Sequence, residues 1–152
     1  MTESPSSPRH RLQSTDLSSE IEFLMARARA VGTTQANEQL AALNLKARSY
    51  AVLALACSPS RPSQRELAEF LSLDASQIVA LVDGLESRGL VVREPDASDR
   101  RSNVIVGTPE GIALYERAAK VVAAAEAKSL SSLTESERNQ LRELLARVAF
   151  EG

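Results

Sequence analysis

Tryptophan is absent from this chain, and aromatic residues make up only 3% of it. Ala and Leu are abundant instead, so the core has to be aliphatic and the chain favours helices. A single cysteine, Cys57, excludes an intrachain disulfide. It follows an Ala/Leu run and precedes Ser58-Pro59, the place of a small, partly buried filler at a helix end, and whether it is redox-active stays open. The one histidine, His10, has no second His or Cys near it, so a tetrahedral zinc site and a histidine-based triad both lack parts within one chain. Nucleophile–base pairs, a Gly-rich phosphate loop and metal-ligand spacings are missing too, so neither an enzyme nor a resident cofactor is expected. The longest apolar run, Tyr50–Cys57, falls far short of the ~20 residues that span a bilayer. Residues 1–13 lack the apolar centre of a secretory signal, which makes the cytoplasm the default and a membrane partner unexpected. Positive charge is not in excess: 18 Lys and Arg stand against 20 Asp and Glu, a formal charge of −2. Contact with nucleic acid would therefore need cations gathered on one face.

What the chain does have is helix-start chemistry at regular places. Its 152 residues suit one domain. Residues 1–13, polar and rich in Pro and Ser, read as a flexible arm, and residues 14–152 as the domain. From Asp16 to about Gln39, Leu17, Ile21, Leu24, Ala28 and Val31 recur at helical spacing. Phe23 and Met25 lie off that stripe, so the helix carries more apolar surface than one partner face needs, and a second packing face against another subunit would explain it. A second helix is expected from about Lys46 to Cys57, with Asn44 as its cap. Ser58–Pro62 is a linker. Ser63-Gln64-Arg65-Glu66 is a capping box that opens a short helix through Leu71, with Leu67, Ala68 and Leu71 inward. Asp74 with Gln77 and Thr134 with Glu137 repeat that device. Thr108-Pro109 reads as cap and first turn of a helix reaching about Leu130, striped by Leu114, Ala118, Val121, Val122 and Ala125. Leu141, Leu144, Leu145 and Val148 stripe the last helix.

The stretch Asp74 to Thr108 organises the rest. Ile78, Leu81, Val82 and Leu85 fall at i, i+3, i+4 and i+7, which turns one helix face toward a core. Gly89 comes where a left-handed residue ends a helix. Leu90–Arg93 and Asn103–Val106 are strand-like, and Pro95, Asp96, Ser98 and Asp99 between them supply turn chemistry, so a hairpin is expected with Arg100 and Arg101 at its tip. A helix leading into such a hairpin suits DNA, the helix in the major groove and the tip toward the minor groove.

This pattern resembles the winged helix-turn-helix of the MarR family of bacterial transcription regulators. The residues that carry the resemblance are Leu81-Val82-Asp83-x-Leu85-Glu86-x-x-Gly89-Leu90-Val91, then Asp96-x-x-Asp99-Arg100-Arg101, then Thr108-x-x-Gly111. Looser similarity runs from about residue 16 to 149. The implied fold is mostly α with a small β-hairpin wing: a winged helix-turn-helix lobe at about 45–108, and dimerisation helices at 14–42 and 109–150. Leu17, Ile21, Leu24, Leu141, Leu144, Leu145 and Val148 are the expected dimerisation residues.

With the apolar stripe inward, the outward residues of the recognition helix are Ala75, Ser76, Gln77, Val79 and Ala80. Ser76 and Gln77 can bond bases or phosphates, and Gln can take adenine bidentately. Val79 and Ala80 offer only apolar contact. The family usually has a hydroxyl and a basic residue at those two places, and a cation where Gly84 stands, so a weaker salt dependence is expected here than in a more basic relative. Arg61, Ser63, Gln64 and Arg65, at a helix start, are the candidate phosphate contacts, with Arg88 and Arg93 as additions. At the wing, an aspartate of the family pairs with an arginine to hold the shape. Asp99 takes that structural role here beside Asp96, and Arg101 the minor-groove contact, with Arg100 as the alternate. The resemblance also implies an effector pocket lined by the first two helices, for which Phe23, Met25, Arg27, Arg29, Arg48 and Tyr50 are the candidates. A cation beside aromatic and thioether surface would suit an aromatic acid or an acyl-CoA thioester. The expected protein is thus a homodimeric, ligand-released repressor that binds a double-stranded, pseudo-palindromic operator. The alternative is a winged-helix protein-interaction module that never meets DNA.

Overall fold

The computed structural model describes residues 8–152, so the first part of the expected arm, residues 1–7, lies outside the described residues. The second part is helical and exposed. Pro8 opens a short helix, α1 (Pro8–Gln13), a position where its missing N–H costs nothing. The hydroxyls of Ser14 and Ser18 close it by donating to the Arg11 and Leu12 carbonyls, both at 2.8 Å.

The next helix begins later than the stripe suggests. Asp16–Ser19 forms a 3₁₀ turn and Glu20 is extended, so α2 spans Ile21–Leu40. A 3₁₀ turn, Ala41–Leu43, follows it, and Asn44 closes that turn in the left-handed region (φ 51°), while the Leu45 N–H bonds back to the Leu40 carbonyl at 3.2 Å. Asn tolerates this conformation, as Gly does at most helix ends. Asn44 therefore terminates the turn before it and does not cap the helix after it. That cap comes from Asn37, whose Oδ1 accepts the Ala47 N–H at 2.8 Å as α3 (Ala47–Ala56) begins.

The helix-turn-helix follows. Ser63 and Glu66 complete the expected capping box at the start of α4 (Gln64–Leu71). Ser72 and Leu73 form the turn, and α5 (Ala75–Ser87) is the recognition helix. Gly89 stops it at φ 71°: the Gly89 and Leu90 N–H groups return to the Glu86 and Leu85 carbonyls, at 2.9 and 3.0 Å. This pair of bonds is the Schellman ending.

Strands β1 (Val91–Pro95) and β2 (Asn103–Gly107) pair antiparallel, with Arg93 opposite Ile105. The linker adds a short third edge: Ser63 bridges to Val104, and the Ile105 N–H donates to the Pro62 carbonyl at 2.8 Å. The wing is thereby stitched to the start of α4. Thr108 caps α6 (Pro109–Ser129), and Thr134 with Glu137 caps α7 (Glu135–Phe150).

The core is aliphatic throughout and sits in the winged lobe. Val52, Leu53, Leu67, Ile78, Val82, Val91 and Ile105 are its large fully buried side chains, joined by Leu40 of α2 and Ala118 of α6. Each buried Leu or Ile contributes roughly 1.5–3 kcal/mol of transfer free energy, enough to fix the lobe without aromatics. The two ends of the chain behave differently. α2 packs along α6, yet Leu17, Ile21, Leu24 and Val31 remain exposed, as do Leu144, Leu145, Val148 and Phe150 of α7.

Candidate nucleic-acid interface and ligand cleft

Burial of Ile78, Val82 and Leu85 fixes the rotation of α5, so Ala75, Ser76, Val79 and Ala80 face outward and are exposed. Gln77 is half-buried, and its Oε1 accepts the Asp74 N–H at 3.0 Å as a helix cap. A bidentate adenine contact needs both ends of the amide and would break that cap.

The wing tip is shaped from within. Asp96 Oδ1 accepts the Ser98 backbone N–H at 2.9 Å and its hydroxyl at 2.8 Å. Those two bonds, the backbone one first, hold the Asp96 carboxyl below the ordinary value of 3.8; slight desolvation opposes them, and Arg61 adds a weaker pull in the same direction. Asp99 Oδ1 accepts the Arg101 backbone N–H at 3.0 Å. Both aspartates thus grip backbone, and among the described residues neither forms an ion pair with a wing arginine. Arg100 and Arg101 are exposed. Their guanidinium groups make no hydrogen bond or ion pair among the described residues.

The other expected cations are engaged. Arg61, left-handed at φ 48°, pairs with Glu94 of β1 at 2.6 Å. Arg65 pairs with Glu69 at 3.0 Å, but both side chains are largely exposed and such an i,i+4 pair is worth only a few tenths of a kcal/mol. Arg88 donates to the Asn44 and Leu43 carbonyls at 2.7 and 3.0 Å, tying the end of α5 to the turn after α2. Ser63 caps α4, and Gln64 Oε1 accepts from Arg93 Nε at 3.0 Å. Arg93 also reaches Asp83 at 2.6 Å and Glu86 at 2.8 Å. These two acids of the recognition helix carry part of the family resemblance but were assigned no contact; their i, i+3 spacing followed by an arginine at the strand is the signal that could have found one.

Behind this surface, α2, α3 and the helix-turn-helix turn enclose a cleft of about 540 Å³. Of the expected pocket residues, Arg29 and Arg48 line it; Phe23, Met25, Arg27 and Tyr50 do not. Tyr50 turns toward α6, stacking on Tyr115 with ring centroids 6.0 Å apart, and burial followed by the neighbouring Tyr115 raises its pKa. The walls are instead Ala26, Ala30 and Thr33 of α2, Ala47 and Ala51 of α3, and Leu71 and Leu73. A run of small residues at 26, 30 and 33 is the helical spacing that marks this wall in the sequence.

A helix-turn-helix whose second helix leads into an arginine-tipped hairpin, on a layer of long helices, defines a winged-helix transcription regulator. The family model that matches is that of the MarR family, over residues 45–102. A MarR-family transcriptional regulator from Rhodococcus sp. RHA1 is 40% identical and superposes with a TM-score of 0.85, covering 91% of this chain and 99% of its own. CouR from Rhodococcus jostii RHA1, solved bound to p-coumaroyl-CoA, is 39% identical with a TM-score of 0.79, covering 90% and 96%. PecS of Dickeya dadantii, a transcriptional regulator, is 35% identical over 107 residues, 68% of this chain. The chain spans 60% and 64% of the lengths of two curated relatives, PecS being the second. The chain belongs to the MarR family.

Proposed function

We propose that the protein is a sequence-specific DNA-binding repressor that acts as a homodimer on a pseudo-palindromic operator and is released by a small anionic ligand. The observation that carries this reading is the pair of uncommitted guanidiniums, Arg100 and Arg101, on a wing beside an exposed recognition-helix face. In this reading α5 lies in the major groove with Ala75, Ser76, Val79 and Ala80 toward the bases, and Ser63, Gln64 and Arg65 lie at the phosphates. Arg101 enters the minor groove, where the potential is most negative, while Asp96 and Asp99 keep the tip in shape. The protein works by binding and not by catalysis, in the cytoplasm.

The homodimer is supported by the exposure of Leu17, Ile21, Leu24, Leu144, Leu145 and Val148, with Leu141 half-buried beside them. Apolar side chains left exposed at helical spacing at the start of the chain and along α7 call for a covering partner, and a second copy related by a two-fold axis is self-complementary. The ligand reading rests on Arg29 and Arg48 facing apolar walls in the cleft. An aromatic carboxylate or an aromatic acyl-CoA thioester meets both requirements, and the CoA thioester bound to CouR supports the latter.

Gel-shift titration against the DNA upstream of the protein's own gene tests the reading. The parent should retard a duplex, Arg101→Ala should weaken it, and p-coumaroyl-CoA or salicylate should release the parent but not an Arg48→Ala variant. Retardation of no duplex would contradict DNA binding and favour the protein-interaction module. Release of the Arg48→Ala variant at parent concentrations would move the ligand elsewhere.

A further inference from the structure

The ion pair least exposed to solvent among the described residues belongs to Arg93, in the middle of β1. Its side chain is 22% exposed, whereas both members of every other described pair are 44% exposed or more. Three of its nitrogens donate in three directions. Nε reaches Gln64 Oε1 on the first turn of α4, Nη1 reaches Glu86 Oε1 on α5, and Nη2 reaches Asp83 Oδ1 one turn earlier on α5. One planar group therefore joins the wing strand to both helices of the helix-turn-helix. A lysine at this place keeps the charge but carries all its donors on one nitrogen, and cannot span those acceptors.

The placement matters because the DNA surface is in two parts. The base-facing side chains stand on α5, and Arg100 and Arg101 stand beyond the end of β1. Backbone bonds join β1 to β2, and β2 to Pro62, but β1 meets α5 only after the Gly89 turn. Arg93 supplies the side-chain link across that angle. It also pairs two carboxylates on the recognition helix that would otherwise face a polyanion unneutralised.

We propose that Arg93 is a positioning residue: it sets the angle between recognition helix and wing, so that the α5 contacts and the Arg101 contact can be made on one duplex at once. The proposal rests on the DNA-binding reading above. It gives Arg93 no phosphate contact of its own, since its donors already face Gln64, Asp83 and Glu86.

The test is a set of double-mutant cycles on the full chain, with operator affinity read by fluorescence anisotropy and folding checked by thermal melts. Arg93→Gln and Arg93→Lys are each made alone and with Arg101→Ala. Residues that act independently show additive costs, and residues that share a geometry do not. In the parent, Arg101→Ala should cost about tenfold or more in affinity, as a lost groove-reading arginine does. In either Arg93 variant the same change should cost less than about threefold, because a misplaced wing has little left to lose. Asp83→Ala with Glu86→Ala removes the acceptors without touching Arg93, and should show the same loss of coupling if the Arg93 variants fold poorly. Additive costs would overturn the proposal, as would full affinity in Arg93→Gln. Recovery of affinity and coupling by Arg93→Lys would also overturn it, by showing that charge alone suffices. A parent that bound no duplex would instead sink the DNA-binding reading beneath it.

Discussion

Gly111 is the position with least room for change. A Cβ there would stand 1.9 Å from the Leu90 carbonyl oxygen, and that carbonyl is held in place by the Thr108 N–H at 3.0 Å. Backbone on both sides cannot yield as a flexible side chain would. Gly111→Ala is therefore expected to destabilise the protein by about 1–3 kcal/mol or more, the range for overpacking a filled site, as read by urea denaturation. An unchanged midpoint would show that α6 is free to shift. The Thr108-x-x-Gly111 spacing was legible in the sequence, but the close approach that demands it was not, since the neighbour lies 21 positions upstream. Asn37 was less legible still: it caps a helix ten residues later, and no local pattern marks such a pairing.

Asp96 carries a pH-dependence at the same scale. Its carboxyl is held below 3.8 by the Ser98 N–H and hydroxyl, so the folded turn favours the charged form. A lowered folded-state pKa contributes order that is fully present above the unfolded value and is lost as pH falls through the folded one. The Ser98 amide resonance should therefore stay in its bonded position at neutral pH and move only below about pH 3.8, the ordinary value. In Asp96→Asn that movement should vanish. An amide already shifting near pH 5 would contradict the turn described here.

At the scale of elements, what the sequence made plain were helices whose starts and stops are written in short motifs. Ser63 with Glu66, Thr134 with Glu137 and the Gly89 stop all stand where spacing puts them, because caps are local chemistry. The entry to α2 was misread for the same reason: Leu17 and Ile21 continue the helical period, but the serines at 18 and 19 sit in a 3₁₀ turn, Ser19 Oγ bonding the Asp16 carbonyl at 2.7 Å. The cleft residues were only partly legible, since which face of α2 meets α3 is decided by packing at the far end, where Leu40 is buried. α7 is the element least explained by its own protomer. Its apolar stripe is exposed, and it is held by the Arg142–Glu126 pair and the stacking of Phe150 on Phe70. If a second copy covers it, Leu145→Asp with Val148→Asp should convert a dimer to a monomer by analytical ultracentrifugation while leaving the winged lobe folded. Dimers of unchanged stability would put the interface elsewhere.

At the scale of the whole molecule, charge and fold lead in different directions until geometry joins them. A formal charge of −2 is unremarkable for a DNA-binding chain only if its cations are disposed in space. Here most arginines near the helix-turn-helix are spent on internal links: Arg61 to Glu94, Arg88 to carbonyls, Arg93 to Asp83 and Glu86. None of those pairings can be read from composition, whereas Arg100 and Arg101 on a turn could be. Recognition of DNA is therefore expected to rest on the wing. Hydroxyl-radical and dimethyl sulfate footprinting of the operator complex, with the parent and with Arg101→Ala, tests this most directly. The parent should protect two minor-groove stretches symmetrically disposed about recognition-helix sites roughly 34 Å apart, and Arg101→Ala should lose the minor-groove protection while major-groove guanines stay shielded from methylation. A single unpaired footprint, or minor-groove protection that survives the loss of Arg101, would contradict it.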